Sequence, residues 1–420
     1  PMRFPLPGPL LVATLVLALP AAGEEGFRLR VGGLVDLRAV RTAETTGWLD
    51  GGLGKLRWGG EEGEARTLLA LAQSAVVLRA GLGDEWRALV HVNADTGSYP
   101  SAGLAGLDLV EGWVSYRPRF SAALGAQLRG GHFFPPLSLE NDGFAWSPTR
   151  TLTASALGSW IGEEVRVTGL EASLELFLPT SDVALTGAVF GGNDPCGSLL
   201  AWRGWAIGDR QTGYTDRLPL APLPAFQPDG IFPAQDPWVA PFREVDGRAG
   251  WYVAASFVKP ELLTFRALFY DNRGDPLALE DGQYAWKTRF AGVGAKLQLP
   301  ARVELLGQFL DGWSAMGPEE AVDVSYRTWY VLASLALGSH RVSVRYEEFR
   351  VRDEDRYRVT DPNDEEGEAW TAAWSLPLDR RTTVFLEVVS VGATRPARAL
   401  LGLPERARET LVQLGVRGRF

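Results

Sequence analysis

The chain has 420 residues, with 42 Lys and Arg against 51 Asp and Glu, 48 Gly, 15 Trp and one Cys. A formal charge of −9 argues against a nucleic-acid partner, which needs a basic face. The lone Cys196 excludes an internal disulfide and has no metal-ligand spacing around it, a usage compatible with export. Mean hydropathy is near zero, which excludes a bundle of membrane helices.

From the N-terminus, the first feature is an uncharged apolar run over 9–22. It is too short for a transmembrane helix, which needs about 20 apolar residues. Arg3 ahead of it and the small residues Ala21, Ala22 and Gly23 at its end complete the pattern of a cleavable secretion signal. The expected division is a signal over 1–23 and a single domain over 24–420.

Beyond the signal no helical period appears. Segments alternate apolar with polar or small side chains, each near the length of a membrane-barrel strand, about 9–11 residues. They lie at 27–40, 69–80, 85–95, 107–117, 119–131, 165–178, 182–191, 248–258, 262–271, 284–299, 301–311, 325–338, 340–350, 368–377, 381–391 and 409–420. The connections alternate short and long. The short ones, such as Gly81-Leu82-Gly83-Asp84 and Lys259-Pro260-Glu261, have turn compositions. The long ones are near 41–68, 96–106, 132–164, 192–247, 272–283, 312–324, 351–367 and 392–408. This sorting predicts an all-β, antiparallel up-and-down transmembrane barrel of about 16 strands, with every short turn at one end. A propeller would repeat every 40–50 residues or so, and no such repeat is present. A soluble sandwich would bury unpaired charges along its inner faces.

Strand parity then sorts the side chains. Val342, Val344 and Tyr346 oppose Arg341, Ser343, Arg345 and Glu347. A lipid-facing Arg or Lys at mid-bilayer costs about 2–4 kcal/mol, so the charged face should line the lumen. The pore-lining candidates are Arg28, Arg30, Asp36, Arg38, Arg87, Arg129, Arg266, Lys296, Arg302, Glu304, Arg341, Arg345, Glu347, Arg417 and Arg419. Glu111, Glu171, Glu175 and Glu387 share their parity. A lumen so lined is expected to be wet. The set leans basic, and basic rings favour anions, so a weak anion preference is expected. A β-bulge would swap the faces beyond it.

The chain ends Leu411-Val412-Gln413-Leu414-Gly415-Val416-Arg417-Gly418-Arg419-Phe420. Val412, Leu414, Val416 and Phe420 share one face, and Gln413, Arg417 and Arg419 the other. This strand resembles the C-terminal signature of Gram-negative outer-membrane proteins, although Gly418 stands where a bulkier residue is common. With the secretion signal and the strand number, the chain resembles the outer-membrane β-barrel porins of the general-diffusion or phosphate-selective type. The resemblance implies a place in the cell outer membrane of a Gram-negative bacterium, among outer-membrane lipid and lipopolysaccharide. It implies an assembly signal at Phe420 read by the barrel assembly machinery, and a homotrimer. It implies passive diffusion of small polar solutes or ions, with no cofactor, no metal and no catalytic residue. In such porins the third outer loop folds into the lumen. Here that loop is 132–164, and Glu140, Asp142 and Arg150 are its constriction candidates. A non-conducting binding or scaffold barrel, its lumen plugged by loop 192–247 or by a partner, is the second reading, and a barrel enzyme the third.

Other motifs carry less. Gly51-Gly52-Leu53-Gly54-Lys55-Leu56 lacks the Ser/Thr and spacing of a phosphate-binding loop. Arg273-Gly274-Asp275 is made of turn residues. The acidic run 361–368 offers oxygen ligands for a hard cation, but without EF-hand spacing a solvated face is the plainer account. His91, His132 and His340 are too scattered for a metal site, and no nucleophile elbow is present.

Overall fold

Sixteen strands close into one antiparallel barrel. The computed structural model describes residues 26–94 and 107–420, so the expected signal and loop 96–106 lie outside the described residues. The wall runs β1 (Phe27–Arg41), β2 (Thr67–Leu82), β3 (Trp86–Ala94), β4 (Leu107–Tyr116), β5 (Leu124–Phe133), β6 (Val167–Leu178), β7 (Ser181–Gly191) and β8 (Gly250–Lys259). It continues through β9 (Leu263–Asp271), β10 (Lys287–Leu299), β11 (Val303–Met316), β12 (Val322–Leu337), β13 (His340–Asp353), β14 (Glu365–Pro377), β15 (Thr382–Thr394) and β16 (Arg406–Arg419). Each strand pairs with its neighbours in sequence, and β1 closes on β16. All the expected segments are strands.

Burial follows the parity read from the sequence. Along β16, Leu411, Gln413, Gly415 and Arg417 are buried inside, while Val412, Leu414 and Val416 are exposed outside. Val31, Leu174, Leu185, Val253, Val293, Val331 and Leu386 continue the exposed apolar belt around the wall. A belt this continuous would aggregate in water and is the lipid-facing surface of a membrane barrel.

Two bulges shift the parity. The β1–β2 register steps from Asp36↔Gln73 to Leu37↔Leu71, leaving Ala72 extra. The β3–β4 register steps from His91↔Glu111 to Val92↔Leu109, leaving Val110 extra. Two connections also differ from expectation. Loop 312–324 contracts to 317–321, because β11 and β12 keep pairing as far as Met316↔Val322. The turn after β4 lengthens, because the Ser121 hydroxyl accepts the Ala123 and Leu124 N–H groups at 3.2 and 3.1 Å and holds a local turn.

Among the described residues, inward charges such as Arg30, Arg79 and Arg419 are exposed to solvent toward the short turns. Loops 42–66, 134–166 and 192–249 turn inward at the other end, carrying α1 (Ala156–Glu164) and α2 (Ser198–Trp202). Trp48, Trp160, Trp202, Trp205 and Trp286 are at most 1% exposed there. The wall meets them with Phe190, Tyr252, Tyr270, Phe290, Tyr326 and Phe349, all buried. The expected wet interior is corrected for this half. Its inward positions are apolar, and the loops bring apolar partners to them.

The seam depends on the last residue. Gly33 N–H donates to Phe420 O at 2.8 Å, and Phe420 N–H to Gly33 O at 3.1 Å. The Phe420 ring covers Gly33, where a Cβ would lie 2.1 Å from it. Gly33→Val is therefore expected to displace the ring and cost about 1 kcal/mol in urea unfolding. In a Phe420→Ala background that cost should vanish. Additive losses would show that the two do not interact.

Candidate functional site: a loop constriction inside the barrel

The inward face has three tiers. Nearest the long loops is the aromatic core. At mid-height lies a charged tier that holds loop 134–166. Nearest the short turns, basic side chains stand exposed.

The middle tier explains the burial of charge. A loop inside a barrel carries backbone groups that water no longer reaches, and each needs a partner. Arg345, fully buried, donates to the carbonyls of Thr153 and Ala154, both at 2.9 Å. It also pairs with Glu347 at 2.9 Å and Glu140 at 3.4 Å. Glu347 accepts the Ala156 N–H at 2.6 Å, at the start of α1, where a carboxylate also meets the positive end of the helix dipole. Glu387 accepts the N–H groups of Leu152 (2.5 Å) and Thr153 (3.1 Å). Arg417 donates to Pro148 O at 2.5 Å and to Asp36 at 2.9 Å. Arg38 bridges Asp36 (2.9 Å) and Asp209 (2.5 Å), joining the wall to loop 192–249. These groups anchor loops rather than face an open channel.

The constriction candidates converge. Glu140 accepts the Ser155 N–H at 3.0 Å and pairs with Arg345. Asp142 pairs with Arg150 at 2.9 Å and Lys296 at 3.2 Å, and Arg150 also pairs with Glu304. Arg266 donates to Ser138 O at 2.6 Å. Arg129 pairs with Glu171 at 2.8 Å on the wall between β5 and β6.

The rest stand apart. Arg28 pairs with Asp84 at 3.2 Å beside the first short turn, and Arg87 donates to Gly83 O at 3.1 Å. Arg341 donates to Ser334 at 2.8 Å. Arg30 and Arg419 are exposed at the short-turn end. Arg302 is not a wall residue: it is exposed in the turn 300–302, with a left-handed φ of +60°. The tight Pro300 turn, rather than strand parity, sets its direction.

Sequence reasoning missed the loop side of the network. Asp209 also pairs with Arg57 at 3.3 Å, and Lys55 reaches Glu365 and the carbonyls of Arg203 (3.1 Å) and Trp205 (3.2 Å). The Lys55-Leu56-Arg57-Trp58 alternation was the available signal. The acidic run is only partly solvated, since Asp361 accepts from Trp202 Nε1 at 3.4 Å and Glu365 from Trp205 N at 2.7 Å. Among the described residues, Asp194, Glu244 and Asp246 form a carboxylate group of metal-ligating geometry. Their oxygens serve backbone N–H groups, Asp194 accepting from Val245 at 2.5 Å and Glu244 from Gly192 at 2.6 Å.

Glu164 and Asp194, carboxyls of the inward loops, are held well above the usual carboxylate range. Burial pushes Glu164 up to about 7, against hydrogen bonds from Trp160, Leu199 and Ser198. Burial, then the charges of Glu244 and Asp246, push Asp194 up to about 8. Burial pulls Lys55 down to about 8, opposed by Glu365.

No protein-family model and no curated protein sequence matches the chain. Solved structures do. The outer-membrane channel DcaP of Acinetobacter baumannii is 11% identical at a TM-score of 0.59, covering 95% of this chain and 99% of that one. The anion-selective porin from Comamonas acidovorans is 14% identical at 0.54, over 94% of this chain and 100% of that one. Salmonella typhi OmpF, solved in complex with daunomycin, is 8% identical at 0.53, over 94% and 98%. The likeness is one of fold, and it spans the whole wall.

Two outcomes are expected. Arg345→Met leaves Glu140, Glu347 and Glu387 short of their shared cation, and breaking such a buried pair costs about 3–5 kcal/mol. Loop 134–166 should then become protease-sensitive, while Arg341→Met should leave it resistant. Glu164 and Asp194 have folded values above the ordinary carboxylate values of 4.5 and 3.8. A displaced loop therefore releases protons that the seated loop keeps, and seating weakens as pH rises from about 4 to 8. Proteolysis of loop 192–249 across that range should accelerate, and the paired Glu164→Gln and Asp194→Asn changes should flatten the profile.

Proposed function

We propose that the protein is an outer-membrane channel through which small polar solutes and ions diffuse passively, with a preference for anions. In this reading the short turns face the periplasm and the long loops face outside. The observation that carries it is at the short-turn end. Arg30 and Arg79 stand directly opposite each other on β1 and β2, both exposed on the inward face. Neither forms an ion pair among the described residues, although Arg79 lies over the Phe144 ring at 5.1 Å. Like charges directly opposite on a sheet are destabilising. In a vestibule the same pair raises the local concentration of anions and offers them a favourable field. The exposed Arg419 adds to that field, and loop 134–166 then acts as the filter above it. No cofactor and no reacting bond enter this account.

A second reading is favoured by the filled outer half: a barrel whose loops plug it until they move. Planar-bilayer recordings separate the two. The first expects steady conductance, with a reversal potential in a salt gradient on the anion side. Arg30→Glu with Arg79→Glu should move it toward cations. A silent wild type with a conducting Arg345→Met variant would select the plugged barrel. Cation preference in the wild type would overturn the anion assignment.

A further inference from the structure

The outer surface of the wall carries a groove of about 800 Å³ near the long loops, across β12 to β16. An aromatic row lies just toward mid-wall, with Trp329 and Tyr346 rings 5.6 Å apart and Tyr346 and Trp370 rings 4.7 Å apart. Beyond that row lie the exposed Val331, Val344, Leu386 and Leu414 of the apolar belt. Aromatic girdles mark the edges of the hydrocarbon layer, so the groove sits at headgroup height. Gly392 keeps its floor open: a Cβ there would meet only Arg408 Nε, at 3.9 Å.

The groove holds both signs of charge apart. Arg350 stands opposite Glu366, and Glu348 opposite Glu368. Arg406 and Arg408 line the far side from β16. All six are exposed. None of them forms an ion pair among the described residues, whereas Arg327, on the near side of the groove, closes on Asp311 at 2.7 Å. Glu348 and Glu368 share only the Tyr346 hydroxyl, which donates to them at 2.7 and 3.2 Å. Three unpaired guanidinium groups beside two facing carboxylates suit a ligand that carries phosphate together with a divalent cation.

We infer that this groove seats the phosphorylated headgroup of an outer-leaflet glycolipid. Arg350, Arg406 and Arg408 bind the phosphate oxygens, and Glu348 and Glu368 share a divalent cation with them. A second copy of the chain fits less well here. Leu69 on β2, Leu170 on β6 and Val189 on β7 are exposed apolar side chains toward the long loops, and they suit lateral protein contact better. The inference rests on the membrane orientation proposed above.

The test uses the full-length barrel in detergent, diphosphorylated lipid A as probe, magnesium present, and native mass spectrometry as readout. Wild type should retain lipid A, and retention should fall about tenfold in the combined Arg350→Gln, Arg406→Gln and Arg408→Gln variant. Dephosphorylated lipid A should bind wild type as weakly, and EDTA should lower retention. Unchanged heat-dependent gel mobility and conductance would show that the variant folds. Should it not fold, Glu348→Gln with Glu368→Gln should remove only the magnesium-dependent part of retention. Equal retention by folded wild type and variant would overturn the inference. So would indifference to the phosphates, or loss of self-association with lipid A retention intact. A barrel that conducts in bilayers yet ignores lipid A would overturn this inference alone, leaving the channel reading standing.

Discussion

A sheet in hydrocarbon cannot leave an edge, because each unpaired backbone N–H or C=O there costs several kcal/mol or so. The β1–β16 seam meets that requirement, pairing Leu34↔Arg419 through Arg41↔Val412. Closure at sixteen strands then fixes the bore. Side chains alone fill a barrel of about eight strands, and a wall twice that number leaves space they cannot span. Something must occupy that space, and here folded loops take one end while side chains at the other stay exposed to solvent.

The occupied end obeys the rules of a soluble core. Trp160 contacts Trp205, Phe290 and Tyr326 edge-on, at centroid distances between 5.1 and 5.9 Å, a favoured geometry for buried rings. Loop backbone brought into that core loses water, and its amides and carbonyls need replacements. The charged tier supplies them. Arg345, Glu347, Glu387 and Arg417 point at N–H and C=O groups of loop 134–166, so charges that parity assigns to the lumen are taken up in holding that loop. Below that tier, around Arg30 and Arg79, basic charge faces solvent. Loop-anchoring charge and solvent-exposed charge thus divide by height along the same inward face.

The wall was legible because two independent periods agree. Strand alternation placed Val342, Val344 and Tyr346 outside and Arg341, Arg345 and Glu347 inside, and loop lengths placed all the short turns at one end. Parity carried this far because a strand's side chains alternate strictly, except where Ala72 and Val110 insert a residue. Glu140, Asp142 and Arg150 came from resemblance alone, and their pairing with Arg345, Lys296 and Glu304 crosses separations in sequence that no local period encodes. Asp209 stayed hidden because an isolated loop residue has no parity.

The amino-acid sequence therefore determined the barrel, its strand number and which face of each strand meets lipid, since these follow from nearest-neighbour alternation and turn chemistry. Which inward charges remain free was decided only in three dimensions. Arg30 and Arg345 look alike along their strands, as alternating cations on a lumen face. One stands open to solvent and the other is sealed against Thr153 and Ala154, because folding carries loop 134–166 to mid-height and no further.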